Sequence, residues 1–246
     1  MRRLLGVLAA AAVLAAGCGG DEDPTLKVSA AASLKRAFED YGDSFDTAGV
    51  SFSFAGSDEL AAQIRQGVKP DVYAAANTRL PHDLYVERLA ERPVRFASNE
   101  LVISVRDGSD VDSIGDLTRS GTRIAAGAPT VPIGSYTREA LRRLPGGVAR
   151  PIERNIRSNE PDVAGIVAKV SQGAVDAGFV YATDVRAAEG LHAVALPSRA
   201  QPRVTYSAAV VSNASHATEA RRFVEGLRHA AGVRALRDAG FGYAGG

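Results

Sequence analysis

Two serines stand where a hydroxyl could meet an anion. Ser33 closes the run Ala30-Ala31-Ala32-Ser33 and opens Leu34-Lys35-Arg36-Ala37-Phe38, and Ser57 closes Phe52-Ser53-Phe54-Ala55-Gly56-Ser57 and opens Asp58-Glu59-Leu60. In each, an apolar strand pattern gives way to small residues, a serine and a helical pattern. A helix start presents backbone N–H groups that have no intrahelical acceptor, and Ser is a favoured cap there. Two readings follow. Each serine caps its own helix, worth about 1 kcal/mol. Alternatively, two adjacent parallel strands bring both hydroxyls and both helix starts to one edge, as a seat for an oxyanion. Asp58 and Glu59 suit the positive end of the second helix.

Three further places could contribute. The stretch Gly127-Ala128-Pro129-Thr130-Val131-Pro132-Ile133-Gly134 is either a nest of backbone N–H groups or a plain stiffened connector. Pro161 suits the first turn of a helix, which leaves the N–H of Val163 available. Tyr181 ends the strand Ala177-Gly178-Phe179-Val180-Tyr181, and a buried Tyr hydroxyl must find a partner. Enzyme signatures are absent: there is no G-x-S-x-G elbow, P-loop or H-E-x-x-H. His82, His192, His216 and His229 are dispersed without metal-ligand spacing. A secreted hydrolase using Ser57 or Ser135 would need a base delivered by the fold, and no His falls at an expected strand end facing the cleft.

The elements that must position these residues alternate. Strands are expected at 26–29, 50–54 and 70–76, with helices at 34–45, 57–66 and 80–89. Gly67 is the expected C-terminal stop of the second helix. This βαβαβα order implies a parallel sheet covered by helices. A longer strand is expected at 96–105, then a strand at 123–126, helices at 135–144 and 161–172, and strands at 177–181, 193–196 and 204–211. Helices at 217–227 and 230–239 close the chain. Two βα series joined by long strands predict two α/β lobes, each a mostly parallel sheet flanked by helices, with a cleft between them. The expected first lobe is 25–97 plus 208–246, and the second is 98–207. The hinge is expected where the strands near Phe96–Val105 and Val204–Val211 cross. Ligands of open α/β sheets lie beyond the carboxyl ends of strands, which places Ser33, Ser57, Pro132 and Tyr181 at the cleft.

The 246 residues are 46% hydrophobic and 23% charged, enough to bury a core, and a net charge of +1 gives no reason to expect nucleic acid. Arg2, Arg3 and the apolar run Leu4–Ala16 read as an export signal at 1–17, too short for a permanent membrane span. Leu14-Ala15-Ala16-Gly17-Cys18 resembles a lipoprotein processing site, although Ala15 stands where Leu is favoured; the alternative is an ordinary secretory signal. Cys18 is the only Cys, so no internal disulfide is possible, and it would carry the lipid anchor, with 18–24 as tether. Cleavage removes two of 29 basic residues against 28 acidic ones, which leaves a net charge of −1. An anion must then be held by local geometry.

Several segments resemble the molybdate-binding proteins of bacterial ABC transporters. They are Ala30–Leu34, Phe54–Ser57, Leu60–Ile64, Gly67–Tyr73, Asn99–Ile103, Val131–Tyr136 and Gly173–Asp184, in family order across almost the whole mature chain. The resemblance implies a two-lobed periplasmic-binding-protein fold of type II and no catalysis. It implies a molybdate site made of Ser33 and Ser57 through hydroxyl and backbone N–H, the N–H groups of Ile133 and Val163, and the Tyr181 hydroxyl. It departs at Ala128, where the family has Asp, in a loop one residue short, and at 154–160, which looks like extra sequence. Molybdate is fully deprotonated at neutral pH, so a site of donors with no facing carboxylate suits it. Tungstate, with nearly the same size and charge, is expected to bind as well; sulfate is the rival oxyanion. No cofactor is expected. The expected partners are an ABC transporter permease and, through Cys18, the membrane, for a monomer outside the cytoplasm.

Overall fold

A computed structural model describes residues 25–243, so Cys18, the export signal and the tether lie outside the described residues. The first series runs β1 (Thr25–Ala31), α1 (Lys35–Asp43), β2 (Gly49–Ala55), α2 (Ser57–Arg65), β3 (Val72–Ala75), α3 (Arg79–Val86) and β4 (Val94–Asn99). The second runs β5 (Leu101–Arg106), β6 (Ile124–Gly127), α4 (Pro132–Arg142), α5 (Gly146–Asn155), β7 (Ile156–Glu160), α6 (Val163–Ser171), β8 (Ala177–Tyr181), α7 (Ala182–Ala187) and β9 (Leu191–Ala195). The chain then returns through β10 (Val204–Val210), α8 (Ala217–Gly226), α9 (Ala230–Asp238) and β11 (Gly242–Tyr243).

These strands make two sheets, one of six strands in the order β11-β4-β10-β3-β1-β2 and one of five in the order β7-β6-β8-β5-β9. The two-lobed α/β architecture is the expected one. The sheets are mixed rather than mostly parallel. β1 pairs parallel with β2 and β3, and β6 with β7 and β8. β10 and β5 run antiparallel to their neighbours. Parallel neighbours cannot be joined by a tight hairpin and need a crossover, which helices supply here between β1 and β2 and between β6 and β7.

The expected strand at 96–105 is two strands in different sheets, broken at Glu100. The polar Ser98-Asn99-Glu100 sits at the break, where burial lapses between Ala97 and Leu101. The return crossing lies between Ala195 and Val204, ahead of β10, so all of β10 stays in the six-stranded sheet. The expected boundaries at 97/98 and 207/208 therefore fall inside β4 and β10. Gln201 ties the two crossings together: its Oε1 accepts from Leu101 N–H and its Nε2 donates to the Leu101 carbonyl, both at 3.1 Å.

The first lobe is covered on both faces. α1 is amphipathic because Ala37, Phe38 and Tyr41 recur at helical spacing and are all buried. Phe38 packs against Phe52, Phe96 and Phe223 with ring centroids 6.2, 5.9 and 5.7 Å away. On the opposite face, Leu60, Ile64, Leu80 and Leu84 from α2 and α3 cover Tyr73.

The residues at 154–160, set apart from the family pattern, have a structural place of their own. They end α5 and form β7, parallel to β6. α5 escapes sequence reading because it opens on Gly146-Gly147 and holds Pro151 in its interior. An interior Pro costs about 3 kcal/mol. Burial of Ile152 offsets that, as does Asn155, whose Nδ2 donates to the carbonyls of Leu117 and Arg119 at 2.8 Å each.

Candidate functional site: an interlobe cleft of neutral donors

The five residues expected at an anion site, Ser33, Ser57, Ile133, Val163 and Tyr181, line one cleft between the lobes. The parallel pairing of β1 with β2, register Ala31 opposite Ala55, puts the two serine turns side by side. β6 and β8, also parallel, do the same for α4 and Tyr181 in the second lobe. Ser57 is the first residue of α2, Ile133 the second of α4 and Val163 the first of α6, while Ser33 lies in the 3-10 turn Ala32–Leu34 ahead of α1. At such positions the backbone N–H has no acceptor within its own helix, and the positive helix ends face the cleft.

Neither serine caps its helix. The cap positions are Ala31 for the 3-10 turn, Leu34 for α1 and Gly56 for α2, and none makes a side-chain cap hydrogen bond. The Ser57 hydroxyl instead accepts from the Ala76 N–H at 3.1 Å, at the end of β3. The Ser33 hydroxyl lies 2.9 Å from the hydroxyl of Tyr206, a fully buried residue of β10. Tyr206 Oη is in turn 3.4 Å from Asn99 Nδ2.

Tyr181 is buried, and its hydroxyl has no protein partner among the described residues. Burial, reinforced by Tyr206, Tyr136 and Asp184, pushes its pKa well above the ordinary tyrosine value, so the phenol keeps its proton. Its ring packs edge-on to Tyr136 and Tyr206, centroids 6.5 and 5.9 Å away.

Among the described residues, no Lys, Arg or His lines the cleft. Asp162 does, contrary to the expectation of no facing carboxylate, but its Oδ1 is turned back to accept the Gly165 N–H at 2.9 Å as the cap of α6. Asp184 stands behind Tyr181 and accepts its N–H at 3.0 Å. Burial and, to a lesser extent, Asp162 push the Asp184 carboxyl up to about 7.

The lobes meet closely across this cleft. Thr130 Oγ1 donates to Asp58 Oδ2 at 3.2 Å. A Cβ on Gly56 would lie 2.5 Å from the Pro161 carbonyl oxygen of the other lobe. Gly134 is required at the start of α4, because a Cβ there would overlap the Gly127 and Ala128 carbonyls. Arg138 secures the same loop by donating to the Gly127 and Gly134 carbonyls at 3.1 and 2.9 Å.

The hydrolase alternative finds no support in the geometry. The Ser57 hydroxyl meets a backbone N–H rather than a base, and Ser135 is exposed on α4. His192 and His229 are near Asp107 and Glu225, and His216 is near Asp71, all away from the cleft lining. Sequence reasoning missed Tyr206, Asn99 and Arg138. Asn99 heads a segment that carries the resemblance, but no local pattern gives any of the three a role, and Tyr206 reaches Ser33 only because the chain re-enters the first sheet.

Two sheet-and-helix lobes closing on a cleft of helix starts and hydroxyls define a solute-binding protein. The chain belongs to the family of bacterial extracellular solute-binding proteins, whose model matches residues 26–242. It is 37% identical over 225 residues to the molybdate-binding protein ModA of Mycobacterium tuberculosis H37Rv, covering 88% of this chain and 84% of that one. It is 31% identical over 233 residues to ModA of Escherichia coli K12, covering 88% and 90%. Among solved structures, the periplasmic molybdate-binding protein of Azotobacter vinelandii shares the fold with a TM-score of 0.77 at 22% identity, over 88% of this chain and 98% of that one.

Proposed function

We propose that this protein captures molybdate outside the cytoplasm and delivers it to the permease of an ABC importer. The observation that carries this reading is the convergence of Ser33, Ser57 and the unpartnered Tyr181 hydroxyl with the helix starts at Ile133 and Val163. A tetrahedral dianion needs donors on every side and no acceptor. Preorganised neutral donors and helix ends can replace a full counter-charge. The identity to relatives named as molybdate-binding proteins supports the same ligand.

Ser33 and Ser57 contribute hydroxyl and backbone N–H, Ile133 and Val163 backbone N–H, and Tyr181 its hydroxyl. Capture closes the lobes about the crossings at Glu100 and 196–203. Tungstate, of the same charge and shape, binds the same seat. The protein acts as a monomer, needs no cofactor, and is held to the membrane by lipid on Cys18. Calorimetric titration with molybdate, tungstate, sulfate and phosphate tests the ligand. Heat and a raised Tm with the first two are expected. A response to sulfate with none to molybdate would overturn the reading. Loss of membrane association in Cys18→Ser tests the anchor, and unchanged association would refute it.

A further inference from the structure

The first lobe carries a second concavity, away from the cleft. It is an open groove of about 890 Å³ beside α3. The apolar cluster beneath α2 and α3 takes Tyr73 and Ala75 of β3 and Ala209 of β10, and no residue of β4. The helices thus leave a strip of this sheet face bare, where Arg95 of β4 lies opposite Ser207, and Ser207 opposite Ala75. Arg79, Arg92, Arg95 and Arg228 line the groove with His82 and Tyr85, and among the described residues no Asp or Glu does. Arg79 is paired with Asp83 at 3.2 Å, and Arg228 is 4.0 Å from Glu225. Arg92 and Arg95 are exposed, and neither forms an ion pair among the described residues. A chain of 29 basic and 28 acidic residues has no general excess of cations, so this clustering is a local feature.

The chain enters the lobe at one end of this groove. β10 runs antiparallel to β4 and to β3, and β3 runs parallel to β1, so β4 and β1 start at the same end of the sheet. Arg92, just ahead of β4, and Thr25, at the start of β1, therefore share the end opposite the cleft, three strand spacings or about 14 Å apart. α3 ends there as well, at Val86, and Val68 lies there between α2 and β3. Val68, Tyr85 and Val86 are 50, 42 and 66% exposed, three of the four large hydrophobic side chains so exposed among the described residues. Cations beside exposed aliphatic and aromatic side chains suit an anionic lipid interface. We propose that this end of the first lobe rests on the membrane, with headgroup phosphates of anionic phospholipids in the arginine groove and Tyr85 and Val86 at headgroup level. The contact rests on the reading that the chain is held outside the cytoplasm through Cys18, and is independent of which oxyanion the cleft takes. Residues 18–24 span at most about 25 Å when extended, so a lipid on Cys18 keeps Thr25, and with it the groove, within reach of the headgroups. The cleft lies at the other ends of β1, β2 and β3, so the contact leaves it clear of the bilayer.

The test uses the chain from residue 18 with Cys18→Ser, which holds every described strand and helix and carries no lipid. Co-sedimentation compares vesicles of phosphatidylcholine alone with vesicles that also hold about 30 mol% phosphatidylglycerol. Each arginine at such a surface is worth about fivefold in partition, so Arg92→Ala with Arg95→Ala is expected to lower binding to the anionic vesicles by about 25-fold. Equal binding to both vesicle types, or anionic binding unchanged in the double variant, would overturn the proposal. Orientation has its own readout, because the chain contains no Trp. Val86→Trp is expected to be quenched by brominated lipid in anionic vesicles, while Ser120→Trp, on the exposed surface of the second lobe, is not. Equal quenching at the two positions, or none at Val86→Trp, would overturn it as well. An acidic segment of a permease is the other occupant that such a groove fits. A double variant that binds vesicles like the wild type yet loses transport would assign the groove to that partner and overturn the lipid contact. The groove contact is screened and lost in about 0.5 M salt, whereas a lipid anchor survives that wash, so failure of either reading is told apart from failure of the other.

Discussion

Tyr181→Phe separates the stability of the empty protein from its affinity, and the two should move in opposite directions. The phenol ring is buried and packed edge-on between Tyr136 and Tyr206, and the hydroxyl makes no hydrogen bond to protein. Phe keeps the ring contacts and deletes only the oxygen. A buried polar group without a partner costs about 1–3 kcal/mol. Access of cleft water lowers that toward the smaller figure, so a gain of about 1 kcal/mol is expected for the ligand-free variant. In a domain of this size that raises Tm by roughly 2–4 °C. With the oxyanion bound, the same hydroxyl donates to a charged acceptor, worth about 1.5–3 kcal/mol. Its loss weakens binding by roughly 10- to 150-fold. The assay is scanning calorimetry without ligand, paired with isothermal titration of molybdate. A variant that is less stable when empty and binds as tightly as the wild type would refute the reasoning, because it would mean that the hydroxyl serves the fold and not the ligand.

Three other perturbations probe the same cleft. Ser33→Ala combined with Ser57→Ala removes two donors to the anion, so titration should show affinity falling by roughly 10²–10⁴-fold, and an unchanged Kd would sink the site assignment. Gly56→Ala places a methyl group 2.5 Å from the Pro161 carbonyl, although the backbone there, φ −59° and ψ 135°, suits any residue. Binding should weaken by about tenfold or more while the empty protein melts within about 2 °C of wild type; full affinity would show that closure does not bring these groups together. Asp184 has its carboxyl raised from 3.8 to about 7, so the folded state holds an extra proton between those values and stability falls as pH rises through that window. Asp184→Asn keeps an acceptor for the Tyr181 N–H, and its Tm should lose this slope and exceed wild type above pH 7; an unaltered slope would assign the pH dependence to another group.

The sequence by itself determined the parts of this protein that are local. The strand-then-small-residue-then-helix pattern located the helix start at Ser57, while the two helices of the second lobe, expected at 135 and 161, begin at Pro132 and Val163. The alternation of elements determined the two α/β lobes, and the family resemblance selected five residues that line one cleft. What the local pattern misjudged is what the serine hydroxyls do. As residues at helix starts they read as caps, yet Ser57 meets the end of β3 and Ser33 meets β10, partners 19 and 173 positions away. Only tertiary structure decided that. The same holds for the break at Glu100, which divides the expected strand 96–105 between two sheets, and for β7, whose preceding helix hides behind two glycines and a proline. Tyr206 and Asn99 belong wholly to the second category. A hydroxyl has no fixed polarity in a sequence; its role as donor or acceptor is settled by which groups the fold places around it, and those come from strands that meet only after the chain has crossed between the lobes twice.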